Sequence, residues 1–195
     1  MPIPMEIMKN AIEKTIPKLE SSAYASENIA TAILTTDLVK KEITIENDGY
    51  LISGITKGSG MIHPNMATML CYILTDADIS SDILKESLFS SVNKSFNRIS
   101  VDGDTSTNDS VVILANGISG VKLNSEVKIE SFKKALDFVC IELAKKIARD
   151  GEGATKLIEC ECIGALTQED ADLASKSVIS SSLVKSAIFG EDPNW

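Results

Sequence analysis

The segment from Glu42 to Ile55 constrains the fold more than any other. Glu42-Ile-Thr-Ile-Glu alternates polar and apolar residues, Asn47-Asp48-Gly49 supplies turn chemistry, and Tyr50-Leu-Ile-Ser-Gly-Ile returns. A period of two puts alternate side chains on one face, and Asn, Asp and Gly tolerate the positive φ that a tight hairpin needs. An antiparallel pair is therefore expected, and with it a sheet. Its second arm runs directly into Lys57-Gly-Ser-Gly-Met-Ile-His-Pro-Asn-Met-Ala-Thr-Met-Leu70. Gly58, Gly60 and Pro64 interrupt regular structure there. From Met66 to Leu74 the chain turns apolar and reads as a buried strand. The hydroxyl of Thr68 thus falls near the start of a strand, just after a constrained turn, where a fold can hold a nucleophile under strain.

Helical patterns interleave with these strands. Residues 5 to 20 carry Ile7, Met8, Ala11, Ile12 and Ile16 near the helical period, with Pro17 ending the element. Asn28 to Leu34 forms a second short helix or strand, closed by Thr35-Thr36-Asp37. Ser81 or Asp82 caps a helix reaching about Ser95, and Val111 to Ala115 is an apolar strand. Glu126 to Arg149 is the longest helix. Lys156 to Gly164 alternates, with Leu157, Glu159, Glu161 and Ile163 on one face and Ile158, Cys160 and Cys162 on the other, and reads as a strand. Gln168 to about Ala187 reads as one helix. The interleaving predicts an α/β fold with a mixed sheet. At 195 residues and 44% hydrophobic, the chain can bury a core for one domain, or for one and part of another.

A net charge of -9 and a pI near 4.7 argue against nucleic acid and anionic membranes as partners. Met1-Pro-Ile-Pro-Met-Glu has neither a positive start nor an apolar core, so no secretory leader is expected, and no apolar run is long enough for a membrane span. Of the four cysteines, Cys160 and Cys162 are too close for a comfortable disulfide, which favours a reducing cytoplasm. They do not form Cys-x-x-Cys, and the lone histidine, His63, is far away in sequence, so no metal site is expected.

Three polar, glycine-containing loops separate the apolar elements: Lys57 to Asn65, Asp102 to Asp109, and Asp150 to Thr155. Such loops on a rigid scaffold are where function concentrates. Asp102-x-Asp104-x-Ser106 opens like a calcium loop, but Thr107 stands where glycine is needed and Ile113 where a bidentate glutamate is needed. The loop reads instead as a capped turn whose aspartates and hydroxyls satisfy backbone amides. Gly58-x-Gly60 lacks a third glycine and is followed by a strand, which excludes a dinucleotide fingerprint. Serine–histidine–acid catalysis would require His63, and no Gly-x-Ser-x-Gly elbow exists. His63 reads as a surface or turn residue. The Ala67-Thr68 bond offers chemistry without histidine. Cutting it by attack of the Thr68 hydroxyl on the Ala67 carbonyl, followed by ester hydrolysis, would free an α-amine beside that hydroxyl as its base. On spacing alone, Thr68 reads first as an ordinary β-branched strand residue.

Four motifs decide between these readings. The segment Lys57 to Leu70, Ser95-Phe-Asn-Arg-Ile-Ser-Val-Asp-Gly-Asp-Thr-Ser-Thr-Asn-Asp-Ser, Asp150-Gly-Glu-Gly-Ala-Thr-Lys and Phe189-Gly-Glu-Asp-Pro-Asn-Trp stand in this order over nearly the whole chain. Together they resemble the bifunctional ornithine acetyltransferase/glutamate N-acetyltransferase family of arginine biosynthesis. The resemblance implies a layered, mixed-sheet α/β sandwich of the self-cleaving aminopeptidase/ornithine acetyltransferase type. It implies cleavage at Ala67-Thr68, giving an α fragment of residues 1–67 and a β fragment beginning at Thr68. Thr68 would then carry an acetyl group from N-acetylornithine to glutamate. Lys57, Thr36 and Glu152 match substrate-binding positions of the motifs. A lysine suits the substrates' α-carboxylate, and a carboxylate suits the δ-amine of ornithine. No resident cofactor is implied, although some members take acetyl-CoA as a second donor. The expected assembly is a cytoplasmic heterotetramer of two α and two β fragments, with neither nucleic acid nor membrane as partner.

The family's chain is about twice as long. The resemblance places residues 1–165 in its central catalytic core and 166–195 at the beginning of a C-terminal lobe. The threonine–glycine pair of its oxyanion hole precedes the segment that Met1-Pro-Ile-Pro-Met-Glu resembles, and a closing asparagine and hydroxyl follow Trp195. An oxyanion donor is worth roughly 3–4 kcal/mol. A truncated, weakly active or inactive chain is therefore expected, its strands short of neighbours. Two further readings follow: an N-terminal-nucleophile aminopeptidase or amidase, which passes the acyl group to water, and an inert fragment.

Overall fold

The computed structural model describes residues 3–63, 69–105 and 108–193. Contacts divide the chain into two units, Met1–Ile33 and Leu34–Trp195. The first holds helices α1 (Met5–Thr15) and α2 (Ala23–Ala32). Residues 16–20 do not extend α1: Ile16–Lys18 tightens into a 3-10 turn around Pro17, which has no N–H to continue an α ladder. The segment left open between helix and strand is helical, capped where the Ser22 hydroxyl accepts from the Ala25 N–H.

The second unit is built on a four-stranded sheet in the order β1 (Lys41–Asn47), β2 (Tyr50–Lys57), β3 (Leu70–Thr75), β4 (Ser110–Ala115). The first two pairings are antiparallel and the third parallel, so the sheet is mixed, as expected. The hairpin forms with Asn47 opposite Tyr50. Its loop is two residues, Asp48 at φ 49° and Gly49 at φ 84°, the double positive φ of a turn whose twist matches its strands. The parallel β3–β4 pair needs a crossover, which runs through helix α3 (Ser81–Lys94).

Helix α4 (Glu126–Arg149) spans the range its period predicted, capped by Ser125. Its buried stripe of Phe132, Leu136, Val139, Cys140, Leu143 and Ile147 meets Ile52, Cys71 and Ile73 of the sheet in one core. Burying a Leu- or Ile-sized side chain contributes about 1.5–3 kcal/mol. Gly54 lets helix and sheet approach, because a Cβ there would lie 2.7 Å from Leu143 Cδ1. The opposite sheet face is apolar yet exposed, with Leu74 at 54% and Leu114 at 61% alongside Leu51, Tyr72 and Val112.

Two expectations fail. Lys156 to Gly164 carries no strand. Alternation selects faces but supplies no neighbour, and an extended segment becomes a strand only when another pairs with it. Gln168 to Ala187 is not one helix but two, α5 (Gln168–Ser180) and α6 (Ser182–Phe189). Ser181 leaves the helical region at ψ 119° and its hydroxyl accepts from the Val184 N–H, starting α6 as a cap. The expected strand from Met66 begins, among the described residues, at Leu70.

Candidate functional site

The site is assembled from three loops at the end of β2. There Lys57 stands opposite Leu70, and Leu70 stands opposite Ser110, so one row crosses the sheet. Gly58 turns the chain at φ 152°, where a side chain is disfavoured. Its N–H donates to Asp37 Oδ1 at 2.6 Å, which brings up the Thr35-Thr36-Asp37 loop. Lys57 Nζ donates to the Thr35 hydroxyl at 3.4 Å. The third loop is tied in by the Ser59 hydroxyl, which donates to the Asp150 carbonyl at 2.7 Å, and by the Glu152 N–H, which donates to the Ser59 carbonyl at 3.0 Å. The Glu152 carboxylate packs on Gly60, where a Cβ would lie 2.9 Å from its carboxyl carbon. Lys57, the Thr35-Thr36 pair and Glu152 are thus drawn to one corner. The threonine that meets Lys57 is Thr35, while Thr36 is exposed in the same turn.

Beneath the loops lies an ion cluster that the sequence did not reveal. Lys41 Nζ donates to Asp37 Oδ1 at 2.6 Å and to Asp150 Oδ2 at 2.5 Å. The three side chains are 0%, 0% and 6% exposed. Burial pushes the Asp37 carboxyl up, but the Gly58 N–H, Lys41 and the Thr35 N–H together hold it below the usual carboxylate range.

The Asp102 loop clamps the next stretch. Its carboxylate accepts the backbone N–H groups of Met61 at 2.5 Å, Ile62 at 3.0 Å and Asp104 at 3.1 Å. This is the capped turn expected, reaching across some forty residues. Val101 N–H donates to the Ile62 carbonyl at 2.6 Å, and the His63 ring meets the Ser100 hydroxyl at 2.9 Å. Burial and the charges of Lys176 and Lys185 lower the His63 pKa.

Ala67 and Thr68 lie outside the described residues. On the far side of their bond, Met69 N–H donates to Asp109 Oδ1 at 2.6 Å. The other Asp109 oxygen is buried and has no partner among the described residues. Burial raises the Asp109 carboxyl above the usual range, offset in part by Met69 N–H and the charge of Lys57. The sequence had marked this loop as an amide cap without showing which amide it held.

The cysteines supply no rival nucleophile in the core. Burial pushes the Cys140 thiol up to about 12 and the Cys71 thiol well above its ordinary value. Among the described residues, no three side chains of metal-ligand type come together. A cavity of about 1060 Å³ opens beside α5 and α6 and includes Glu152, but neither Lys57 nor Thr36 lines it, so the loop corner is the better candidate site.

Fold and loops define a mixed-sheet α/β protein with a lysine, a hydroxyl pair and a carboxylate gathered at one sheet end. The chain belongs to the ArgJ family, whose model matches residues 1–195. It is 52% identical over 201 residues to the arginine biosynthesis bifunctional protein ArgJ of Bacillus cereus (strain ATCC 10987 / NRS 248), covering 100% of this chain and 49% of that one. The protein of that name from Streptococcus thermophilus (strain CNRZ 1066) is 50% identical, with 99% and 49% covered. The crystal structure of the arginine biosynthesis bifunctional protein ArgJ from Bacillus halodurans matches with a TM-score of 0.61 at 49% identity, over 64% of this chain and 59% of that one. The chain therefore spans about half the length of the curated relatives it matches. The family resemblance of the four motifs is borne out, as is the mixed α/β class. No helix among the described residues is long and apolar enough to cross a membrane.

Proposed function

We propose that this chain carries the central machinery of a self-cleaving acetyltransferase of arginine biosynthesis. The carrying observation is the convergence of Lys57, the Thr35-Thr36 turn and Glu152 at Lys57 to Gly60, ahead of Ala67-Thr68 in the chain. The Thr68 hydroxyl attacks the Ala67 carbonyl, and the peptide becomes an ester. Water then releases residues 1–67 with Ala67 as a carboxylate and Thr68 as a free α-amine. That amine takes the proton of the Thr68 hydroxyl as it attacks the acetyl carbonyl of N-acetylornithine, and gives it to the departing ornithine amine. The acetyl-Thr68 ester next yields to the α-amine of glutamate, forming N-acetylglutamate and restoring the hydroxyl.

Lys57 pairs the α-carboxylate of either substrate, Thr36 borders the same pocket, and Glu152 receives the δ-ammonium of ornithine. Acetyl-CoA serves as an alternative donor, and no resident cofactor is needed. Residues 1–165 belong to the central catalytic core, divided by the cut into 1–67 and 68–165, and 166–195 begin a further lobe. The working assembly is a cytoplasmic heterotetramer of two α and two β pieces. Because the chain spans half of its relatives' length, the reaction is tested in a chimera with residues 1–195 replacing the matching half of the Bacillus cereus relative. Incubated with N-acetylornithine and labelled glutamate, it is expected to place label in N-acetylglutamate. Release of free acetate without labelled product would instead identify an amidase.

A further inference from the structure

Lys41 takes no part in the chemistry just described, yet its side chain is fully buried. Its ammonium has three donors, and three acceptors meet it: Asp37 Oδ1, Asp150 Oδ2 and, at 3.3 Å, the Val39 carbonyl. With every proton engaged and no exposure, it cannot reach a substrate. What it joins is specific. Asp37 follows Thr36 directly and accepts the N–H that follows Lys57; it also accepts the Thr35 N–H at 3.2 Å. Asp150 accepts the Leu38 and Val39 N–H groups at 3.0 and 3.4 Å, while its carbonyl receives the Ser59 hydroxyl two residues before Glu152. One cation therefore holds two carboxylates, and each carboxylate holds the backbone beside a candidate substrate-binding residue.

A buried ion cluster of this kind is a weak stability device, since desolvation offsets most of the attraction. Its geometry, by contrast, is demanding: withdraw the ammonium and two carboxylates that share it are left to repel. We propose that Lys41 is a positioning residue, which fixes the spacing between the loops bearing Thr35-Thr36, Lys57 and Glu152 and so shapes the pocket for an α-amino acid carrying a second charged group. This deepens the functional reading above and rests on it.

The test uses the chimera described above with Lys41→Met and with the double change Lys41→Met/Asp150→Asn, which also removes one of the two carboxylates left without the ammonium. Three quantities are followed: thermal stability and, at matched folded fraction, the Kd for N-acetylornithine and for glutamate by calorimetry and hydrogen exchange at the Gly58 and Glu152 amides against Ile73 in the sheet. Lys41→Met is expected to weaken both ligands by at least about tenfold, in line with the cost of small misplacements. It should speed exchange at the two loop amides by about tenfold while Ile73 keeps its protection. The double variant is expected to recover thermal stability but neither affinity nor loop protection. Full recovery of all three would overturn the proposal, since Lys41 would then act only as a counter-ion. So would wild-type affinity and exchange in Lys41→Met. A chimera with Lys41 intact that binds neither amino acid sinks the functional reading instead, and the exchange measurement still decides whether Lys41 ties the loops.

Discussion

Gly60 has no side chain where the Glu152 carboxylate needs the space. Its φ is not in the positive range, so a Gly60→Ala chain can keep its backbone and must move the carboxylate instead. Stability is expected to change by no more than ~0.5 kcal/mol, as at a surface site. Affinity for N-acetylornithine should fall, and calorimetry beside a melting curve separates the two effects. Asp37 and Asp109 give opposite pH signatures. Asp37 has its folded pKa below the unfolded value of about 3.9, so its contribution is present at neutral pH and is lost as pH falls below about 4 through the folded value. Asp109 has its folded pKa raised, so its ionised form costs stability at neutral pH, and that cost disappears as pH falls through the raised value. At pH 7, Asp37→Asn should therefore lower the urea midpoint and Asp109→Asn should raise it; shifts of the same sign would refute the assignment. The sequence singled out Lys57 and Glu152 as candidates because they sit in long, specific motifs. It hid Lys41, since a lysine at the start of an edge strand reads as solvated and only tertiary packing takes it out of water.

At the level of elements, the legible parts were those whose signals are local. The Asp48-Gly49 turn fixed the β1–β2 register, and the period of α4 gave both its ends and its buried stripe. What stayed hidden depends on partners or on competition. Lys156 to Gly164 has a strand's alternation without a strand paired to it among the described residues, and Ser180-Ser181-Ser182 lies inside a helical pattern until Ser181 takes the role of a cap. Closeness of α4 to the sheet makes a further prediction. Gly54→Ala would place a methyl against Leu143 Cδ1 and should cost about 1–3 kcal/mol, the range for overpacking a tight core. Leu143→Ala in the same chain should relieve part of that cost, and denaturant titration of the double-mutant cycle measures the coupling.

For the whole molecule, the sheet is covered by helices on one face and bears Leu51, Tyr72, Leu74, Val112 and Leu114 exposed on the other. A contiguous apolar surface of this kind makes a chain sticky without making it unstable. Leu74→Lys with Leu114→Lys should reduce binding of a hydrophobic dye and raise solubility, while changing folding stability by less than ~1 kcal/mol. A large loss of stability would mean that this face is packed in solution. The mixed α/β class was legible from interleaved periods, and the family from its motifs. Neither reveals how the loops at residues 35–37, 57–60 and 150–152 come to be tied together through one lysine. The central claim, that the loops serve a bond cut at Ala67-Thr68, is tested most directly by the intact mass of the chimera under denaturing conditions. Two polypeptides are predicted, with the junction after Ala67, and a Thr68→Ala chimera should give one. A single uncut mass in the unmodified chimera, or two pieces persisting in Thr68→Ala, would contradict it.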